Sequence, residues 1–156
     1  MPVTYHRAPV DDVPPRTLYA ILRLRVEVFV VEQSAAYPDL DGRDVEPGAE
    51  LMWAADGDEV LATLRVLHDP AAAGERAALR LGRIATAASA RSRGVASELV
   101  RRGLARCAEL DPCAPVLLDA QVQLIDWYGR FGFAVSGPEF VEDEIPHVPM
   151  RREPAA

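Results

Sequence analysis

Residues 79–96 constrain the fold of this chain more than any other segment. A β-prone run ends at Thr86, and the turn that follows contains Arg91, Arg93 and Gly94 and leads into a helical pattern. A strand end, a glycine turn and a helix N-terminus place several unpaired backbone N–H groups around one concavity. Gly94 allows a ligand to approach the backbone, and the arginines add positive charge. The segment predicts a phosphate-binding turn, although a purely structural strand-to-helix turn has the same residue types.

Two common nucleotide-binding motifs do not fit this turn. A Walker loop needs a Lys after its second glycine, but the chain contains no Lys, and all 17 basic residues are Arg. A Rossmann fingerprint needs three spaced glycines near the first strand of a repeated βαβ unit, whereas this turn lies past the middle of the chain. The predicted phosphate ligand therefore belongs to another class.

The rest of the chain alternates between strand and helix signals. Thr4–Ala8 has a strand pattern, and a Pro-Pro pair opens a helix with apolar residues at helical spacing. Residues 34–48 resemble a loop, Gly57 marks a hairpin turn, and Val116–Gln121 has the pattern of a buried strand. The order is a strand and a helix, three strands, a helix, a strand, a helix and terminal strands. This order predicts an α/β (strictly α+β) domain with a sheet of mixed direction.

Two spaced motifs resemble those of the GNAT acyltransferases, the general N-acetyltransferase superfamily. Arg91, Gly94 and Ala96 follow a strand in the spacing R-x-x-G-x-A of motif A. Further along the chain, the spacing Y-x-x-x-G-F of motif B begins at Tyr128. Gln121 stands where the family often has Asn, so the amide group is kept but the residue differs.

Three other segments are similar to the ElaA branch of this superfamily: residues 24–33, 37–44 and 142–147. The resemblance thus covers nearly the whole chain. It implies a single GNAT domain over residues 1–156, with a mixed, mostly antiparallel, splayed sheet flanked by helices. It also implies direct transfer of an acetyl group from acetyl-CoA to an amine, with no metal ion.

By the same resemblance, acetyl-CoA lies against the strand that ends at Thr86 and against the turn after it. The strand end bonds the pantetheine arm through its backbone, and the N–H groups of residues 92–97 hold the pyrophosphate. The predicted cofactor-binding residues are Ile84, Ala85, Thr86, Arg91, Ser92, Arg93, Gly94, Val95, Ala96, Ser97, Gln121 and Tyr128.

Tyr128 is the predicted general acid, because a Tyr hydroxyl at this position of the family lies near the CoA sulfur. A phenol with an ordinary pKa of about 10 is protonated at neutral pH and can hydrogen-bond a thiolate. Simple packing beside Trp127 is the structural alternative. The candidates for the general base are Glu32, Asp41, Asp44, Glu142 and His147. Glu32 and His147 are the two predicted to be catalytic. Histidine has an ordinary pKa near neutrality, whereas a carboxylate needs a raised pKa or a bridging water.

Acidic residues in two segments predict a cationic acceptor. The set expected to rim one cleft is Asp39, Asp41, Asp44, Glu142 and Asp143. Of these, Asp41 and Glu142 are the predicted substrate-binding residues, and together the set attracts a cationic amine of a small molecule or a peptide. Solvated loop carboxylates are the structural alternative. Arg83 is expected to form an ion pair with a neighbouring acidic residue rather than to hold an acceptor carboxylate.

Charge and cysteine content exclude several classes of partner. The chain has 17 Lys and Arg against 24 Asp and Glu, a net charge of −7, whereas nucleic-acid binding needs a basic face. No apolar run reaches the ~20 residues of a membrane span, and the N-terminus lacks a signal-peptide core, so a cytoplasmic protein is expected. Cys107 and Cys113 have no neighbouring zinc ligands, and Cys107 is expected in the core. The exposed edge strands expected in this fold are often paired or covered, so the sequence is compatible with a homodimer.

Two other functions are compatible with the motifs. One is an acyl-CoA-binding module without catalysis, and the other is an N-acetyltransferase that acts on a protein partner. The presence of Tyr128 and of the acidic loop favours a catalyst over a binding module. An open, flat groove is expected for a protein acceptor, and a closed pocket for a metabolite.

Overall fold

The computed structural model describes residues 2–155. The strands are β1 Thr4–Ala8, β2 Glu50–Asp56, β3 Glu59–Asp69, β4 Ala78–Thr86, β5 Val116–Gln121, β6 Ala134–Val135, β7 Phe140–Glu142 and β8 Ile145–Arg152. The α-helices are α1 Pro15–Val26, α2 Val95–Leu110 and α3 Ile125–Gly129. This is the order of strands and helices that the sequence predicts.

The strands form one sheet with a split at its centre. They lie in the order β1-β2-β3-β4-β5-β8-β6, with β7 paired to β8. Every pair is antiparallel except β4 and β5. Those two strands pair in parallel at only two positions, Leu79 with Val116 and Arg80 with Leu117. The sheet is therefore mixed, mostly antiparallel and splayed, which confirms the predicted fold class.

The helices cover both faces of the sheet. Neighbouring residues of β2 belong to different apolar clusters: Met52 packs with the residues of α2 and α3, and Trp53 packs with those of α1. Because successive side chains of a strand point to opposite faces, α1 lies on one face and α2 and α3 on the other. Cys107 of α2 is buried in the larger cluster, as predicted.

Helix α2 begins at Val95, directly after the glycine turn. Gly94 has a φ of +75°, a left-handed conformation that favours glycine. Its carbonyl accepts the first helical hydrogen bond, from the N–H of Glu98 at 3.1 Å. The change from turn to helix therefore occurs at Gly94, and Ala96 and Ser97 already belong to the first helical turn.

A second helical segment follows helix α1 directly, without a break in the chain. Helix α1 begins at Pro15, where proline is well tolerated at the first helical position. It then continues as a wider π-helical segment, Glu27–Glu32, which the sequence analysis does not predict. Such segments are frequent at functional sites. Within residues 2–155, none of the helices combines the length and the apolar character needed to cross a membrane.

Strand β4 bulges beside the split in the sheet. Its register with β3 shifts by one residue between Gly82 and Ala85. Arg83, inside the bulge, has a φ of +51°. A bulge bends the strand that carries it. The bend lies where β4 has already lost its pairing with β5, so it helps to keep the two strands apart.

Candidate functional site

A cavity of about 440 Å³ opens where β4 and β5 separate. It is bounded by the carboxyl ends of these two strands, the π-helical segment, the turn before α2, and α3. The lining residues are Val28, Phe29, Glu32, Gln33, Ile84, Ala85, Thr86, Ala90, Arg91, Ser92, Gly94, Val95, Ala96, Ser97, Gln121, Gln123, Leu124, Trp127 and Tyr128. All the predicted cofactor-binding residues except Arg93 are in this set.

The turn before α2 forms one end of the cavity. Ser92 and Gly94 both have left-handed backbones, with φ of +65° and +75°. The N–H groups of Val95, Ala96 and Ser97 come before the first helical hydrogen bond, so they have no partner within the helix. A Cβ placed on Gly94 would meet no other described atom within 4 Å, so the space in front of the turn is open. Free N–H groups at a helix start bind anions, and this end therefore fits a pyrophosphate.

The unpaired edges of β4 and β5 form the middle of the cavity. Residues 81–86 of β4 and 118–121 of β5 lie beyond the last paired position of these strands. Backbone N–H and C=O groups on such edges need hydrogen-bond partners. An extended ligand that itself carries amides, such as a pantetheine arm, can supply partners along the gap. The gap therefore fits the part of CoA that the resemblance assigns to it.

Tyr128 reaches the cavity from α3. Only 6% of the residue is exposed, and its ring packs edge-on against Trp127 and Phe133, with centroid distances of 4.9 and 6.2 Å. Burial raises the pKa of the Tyr128 phenol above its ordinary value of 10. The phenol therefore stays protonated well above neutral pH and keeps a proton that it can donate. Tyr128 thus packs beside Trp127 and also lines the cavity.

Glu32 and Arg91, which carry the two formal charges among the described lining residues, bind each other. The guanidinium of Arg91 donates to both carboxylate oxygens of Glu32, at 2.6 and 2.5 Å. This hydrogen bonding lowers the pKa of the Glu32 carboxyl, whereas a direct general base needs a raised pKa. The Glu32 carboxylate is the counterion of Arg91 in this structure, which argues against its predicted role as the general base.

Arg93 and Glu142 lie outside the cavity. Arg93 is exposed, and its closest described acceptor is the carbonyl of Ser89 at 3.5 Å, so its side chain points along the turn rather than into the lining. Glu142 is exposed at the end of β7. The prediction for Arg93 concerns its backbone N–H group, which the position of the side chain does not test, and Glu142 stays a predicted substrate-binding residue.

His147 lies one strand away from the cavity. It is paired in register with Gln121, so both side chains are on the same face of the sheet. The ring stacks on Phe140 with a centroid distance of 5.7 Å, and its Nδ1 lies 2.7 Å from the carbonyl of Ile145. Because that carbonyl can only accept, Nδ1 carries the hydrogen, and in the neutral ring Nε2 is left with a lone pair.

Three aspartates of the predicted acidic rim form a network with three arginines. Arg25 is fully buried; its Nε donates to Asp39 Oδ2 at 2.9 Å and its Nη1 to Asp44 Oδ1 at 2.6 Å. Arg65 donates to both oxygens of Asp41, at 2.8 and 2.7 Å. The third arginine, Arg83 of the β4 bulge, pairs with Asp39 at 2.9 Å and Asp41 at 3.2 Å. The predicted ion pairing of Arg83 is confirmed.

This network corrects the expectation of an open acidic rim. Asp39 and Asp44 are buried rather than solvated, and Asp41 is held by two guanidinium groups. The formal charges of the three arginines and three aspartates cancel. The network therefore ties the loop of residues 34–48 to α1, β3 and the bulge of β4, and it offers little net field for attracting a cation.

Acidification below about pH 4 is expected to destabilise the protein through Asp41. Partial burial opposes ionisation of this carboxyl, but hydrogen bonds from Arg65 and from the N–H of Arg43, with the charge of Arg83, outweigh it and hold the pKa of Asp41 well below its usual range. Since the unfolded pKa is about 3.9, the stabilisation is present above that pH and is lost as the pH falls. Urea unfolding at several pH values between about 5 and 2.5 measures how steeply the free energy of unfolding falls with pH. Asp41→Asn should flatten this dependence, and an unchanged slope would refute the assignment.

Part of the cavity lining could not be predicted from the motifs. Val28, Phe29 and Gln33 come from the π-helical segment and its end, and Trp127 comes from α3. The side-chain oxygen of Gln33 accepts a hydrogen bond from the side-chain amide of Gln121 at 3.3 Å, which links the end of the π-helical segment to the end of β5. The apolar run after Val26, continuing the helical spacing of α1, was the available signal for this part of the lining.

Comparison with known proteins agrees with the geometry. Residues 21–154 match the model of the acetyltransferase (GNAT) domain family. The chain is 43% identical over 142 residues to the UPF0039 protein Rv2851c of Mycobacterium tuberculosis, covering 90% of this chain and 87% of that protein. Among solved structures it resembles an acyl-CoA N-acyltransferase from Pseudomonas aeruginosa (TM-score 0.88, 36% identity, 97% of this chain and 99% of that one). It likewise resembles Escherichia coli ElaA (TM-score 0.87, 31% identity, the same coverage). The chain belongs to the GNAT acyltransferase superfamily and to its ElaA-like branch.

Proposed function

We propose that this protein is a cytoplasmic N-acetyltransferase that transfers the acetyl group of acetyl-CoA to a primary amine of a cationic small molecule or peptide. One observation carries the proposal: the cavity at the split between β4 and β5 joins a helix start with unpaired backbone N–H groups to a buried, protonated phenol. Membership of the superfamily supports acyl transfer in general. The acetyl group, the amine and the cationic character of the acceptor are the proposed details.

The residues of the cavity suit different parts of acetyl-CoA. The N–H groups at the start of α2 and the guanidinium of Arg91 would hold the pyrophosphate, and the edges of β4 and β5 would hold the pantetheine arm. When bound, acetyl-CoA supplies an activated acyl group at its thioester. The task of the chain is then to orient that group, exclude water from it and move two protons.

Tyr128 and His147 are the proposed proton carriers. As the acyl carbon exchanges its bond to sulfur for a bond to the amine nitrogen, Tyr128 gives its phenolic proton to the sulfur. The amine loses a proton, and Nε2 of His147, directly or through a water, is the proposed acceptor because its lone pair is free. His147 is preferred to Glu32, because a carboxylate acts as a base near neutral pH only when burial raises its pKa, and the side chain of Glu32 is 49% exposed.

Attraction of a cationic acceptor would come from the β7–β8 turn. Glu142 and Asp143 are exposed there and make no ion pair within the described residues. Both lie on the hairpin that carries His147, so an amine drawn to this turn approaches the proposed base. Asp41 would order the neighbouring loop rather than supply a free negative charge, because two arginines hold it.

The proposed function is tested by binding and turnover. Acetyl-CoA should raise the melting temperature, and release of free CoA should depend on an added amine from a panel of polyamines, aminoglycoside-like compounds and peptides. Acetyl-CoA binding without amine-dependent release would favour a non-catalytic binding module. Release with peptides alone would favour a protein acceptor. Absence of binding by every acyl-CoA at millimolar concentration would overturn the proposal.

Tyr128→Phe is expected to lower kcat about 100-fold or more, the usual contribution of a positioned acid. The Kd for acetyl-CoA should stay unchanged, since Phe keeps the ring contacts with Trp127 and Phe133. Steady-state kinetics and calorimetric titration measure the two quantities. Tyr19→Phe, which removes a hydroxyl from an exposed position on α1, is the control. An unchanged kcat in Tyr128→Phe would remove Tyr128 from the proposed mechanism.

A further inference from the structure

We propose that Glu32 sets the affinity of this protein for acyl-CoA by competing with the phosphates of the ligand for Arg91. The inference rests on the proposed function, because it takes acyl-CoA as the occupant of the cavity. It assigns to Glu32 a role that differs from general-base catalysis: the carboxylate occupies the guanidinium while the ligand is absent and gives it up when the ligand binds.

The first support is the geometry of the pair. The two residues are 59 positions apart and belong to different walls of the cavity, Glu32 to the π-helical segment and Arg91 to the turn before α2. The contact is bidentate, with two parallel hydrogen bonds of the kind that Arg makes equally well with carboxylates and phosphates. Glu32 thus occupies the side of Arg91 that suits a phosphate group.

The second support is the charge balance of the cavity. The described lining residues carry one positive and one negative formal charge, which cancel while the pair is intact. A pyrophosphate beside the start of α2 brings further negative charge close to the carboxylate of Glu32. The like charges repel, whereas Arg91 attracts both. Ligand binding and the Glu32–Arg91 contact therefore oppose each other.

The third support is the weakness expected of the pair itself. Its side chains are 43% and 49% exposed, so water screens the attraction and replaces the hydrogen bonds easily. The backbone N–H groups at the start of α2, by contrast, have no competing partner in the helix. The phosphate site therefore has two kinds of donor. The backbone N–H groups of α2 are unpaired, whereas the guanidinium of Arg91 is already bonded to Glu32. Glu32 lowers the affinity without blocking the site.

Glu32→Gln tests this inference by keeping the size of the side chain while removing its charge. Calorimetric titration with CoA should give a Kd about threefold to tenfold lower than that of the unaltered protein, with a smaller gain at high ionic strength. Pantetheine, which lacks the pyrophosphate, should bind both proteins equally in an NMR titration. In an Arg91→Met background the gain for CoA should be much smaller, because the competition for Arg91 is gone and only the direct repulsion between Glu32 and the phosphates is left.

Glu27→Gln is the matched control, since Glu27 lies on the same π-helical segment but pairs with Arg23, away from the cavity. It should leave the Kd for CoA unchanged. A Glu32→Gln protein with an unchanged or higher Kd for CoA would overturn the inference while leaving the proposed function intact. So would a lower kcat with unchanged Kd, the sign of a general base. If the unaltered protein binds no CoA, the proposed function and this inference both fail.

Discussion

Replacing Arg25 by Leu is expected to destabilise the protein by about 3–5 kcal/mol, because the buried carboxylates of Asp39 and Asp44 lose the guanidinium that they share. Each keeps one weaker partner, Arg83 for Asp39 and Arg65 for Asp44. Arg25 is fully buried, and all three of its side-chain nitrogens donate to these two aspartates. Since domains of this kind are stable by only about 5–15 kcal/mol, the loss is a large fraction of the total. Urea unfolding of the two proteins measures it.

Arg23→Gln is the control for this change. Arg23 lies two residues earlier on α1 and pairs with Glu27 at the surface, with 71% of its side chain exposed. It should alter the free energy of unfolding by about 0.5 kcal/mol or less. If Arg25→Leu does not accumulate as folded protein, adding Asp39→Asn and Asp44→Asn should restore much of the stability, because the two buried groups that lost Arg25 then carry no charge. A loss below about 1 kcal/mol in Arg25→Leu would contradict the argument.

Arg25→Leu should also make the backbone beside the cavity more mobile. Arg83 of the β4 bulge pairs with Asp39 and also donates to its carbonyl, at 3.1 Å for Nη2. The network therefore links the loop of residues 34–48 to the bend that keeps β4 away from β5. Hydrogen exchange in Arg25→Leu should be faster in this loop and at the end of β4 than in Arg23→Gln.

Gly94→Trp is expected to abolish acyl-CoA binding, with a Kd at least about 100-fold higher. Gly94 lines the cavity and has a left-handed backbone with open space beyond a Cβ, so an indole there would fill the place in front of the free N–H groups of α2. In the unaltered protein, acetyl-CoA at 100 times its Kd should stabilise the fold by about 2.7 kcal/mol, or a shift of roughly 5–10 °C. That shift should disappear in the variant.

Gly74→Trp separates the loss of binding from backbone strain. Gly74 also has a left-handed backbone, with a φ of +80° and no other described atom within 4 Å of a Cβ, but it lies in the connection before β4 and outside the cavity. Both variants should lose about 1–2 kcal/mol of stability from the left-handed conformation. Gly74→Trp alone should keep the acetyl-CoA shift. Equal binding by the two variants would place the phosphate elsewhere.

Local signals explain why so much of the fold could be predicted. The Pro-Pro pair before α1, the turn at Gly57 and the glycine before α2 act through the conformations of the residues themselves, and the structure contains each of them. The spacing of Arg91, Gly94 and Ala96 likewise depends on one turn. The cavity lining includes nearly all the residues that the resemblance to the GNAT motifs assigned to the cofactor.

The ion-pair partners of the charged residues could not be predicted from local sequence signals. Glu32 and Asp41 resembled free carboxylates in the sequence, yet each is bound by arginines distant along the chain, Arg91 in one case and Arg65 and Arg83 in the other. The strength of a carboxylate as a base or as an attractor of cations depends on such neighbours and on burial. Neither is visible in local spacing.

The sequence by itself determined the order of the strands and helices and the glycine turn before α2, because these depend on periodicity and on backbone conformations within a few residues. The place of Tyr128 followed from the resemblance to motif B. The tertiary structure alone decided that α1 continues as a π-helical wall of the cavity, that three aspartates neutralise three arginines, and that Glu32 holds Arg91. The physical reason is that ion pairing and burial arise between segments far apart in the chain, and only packing brings those segments together.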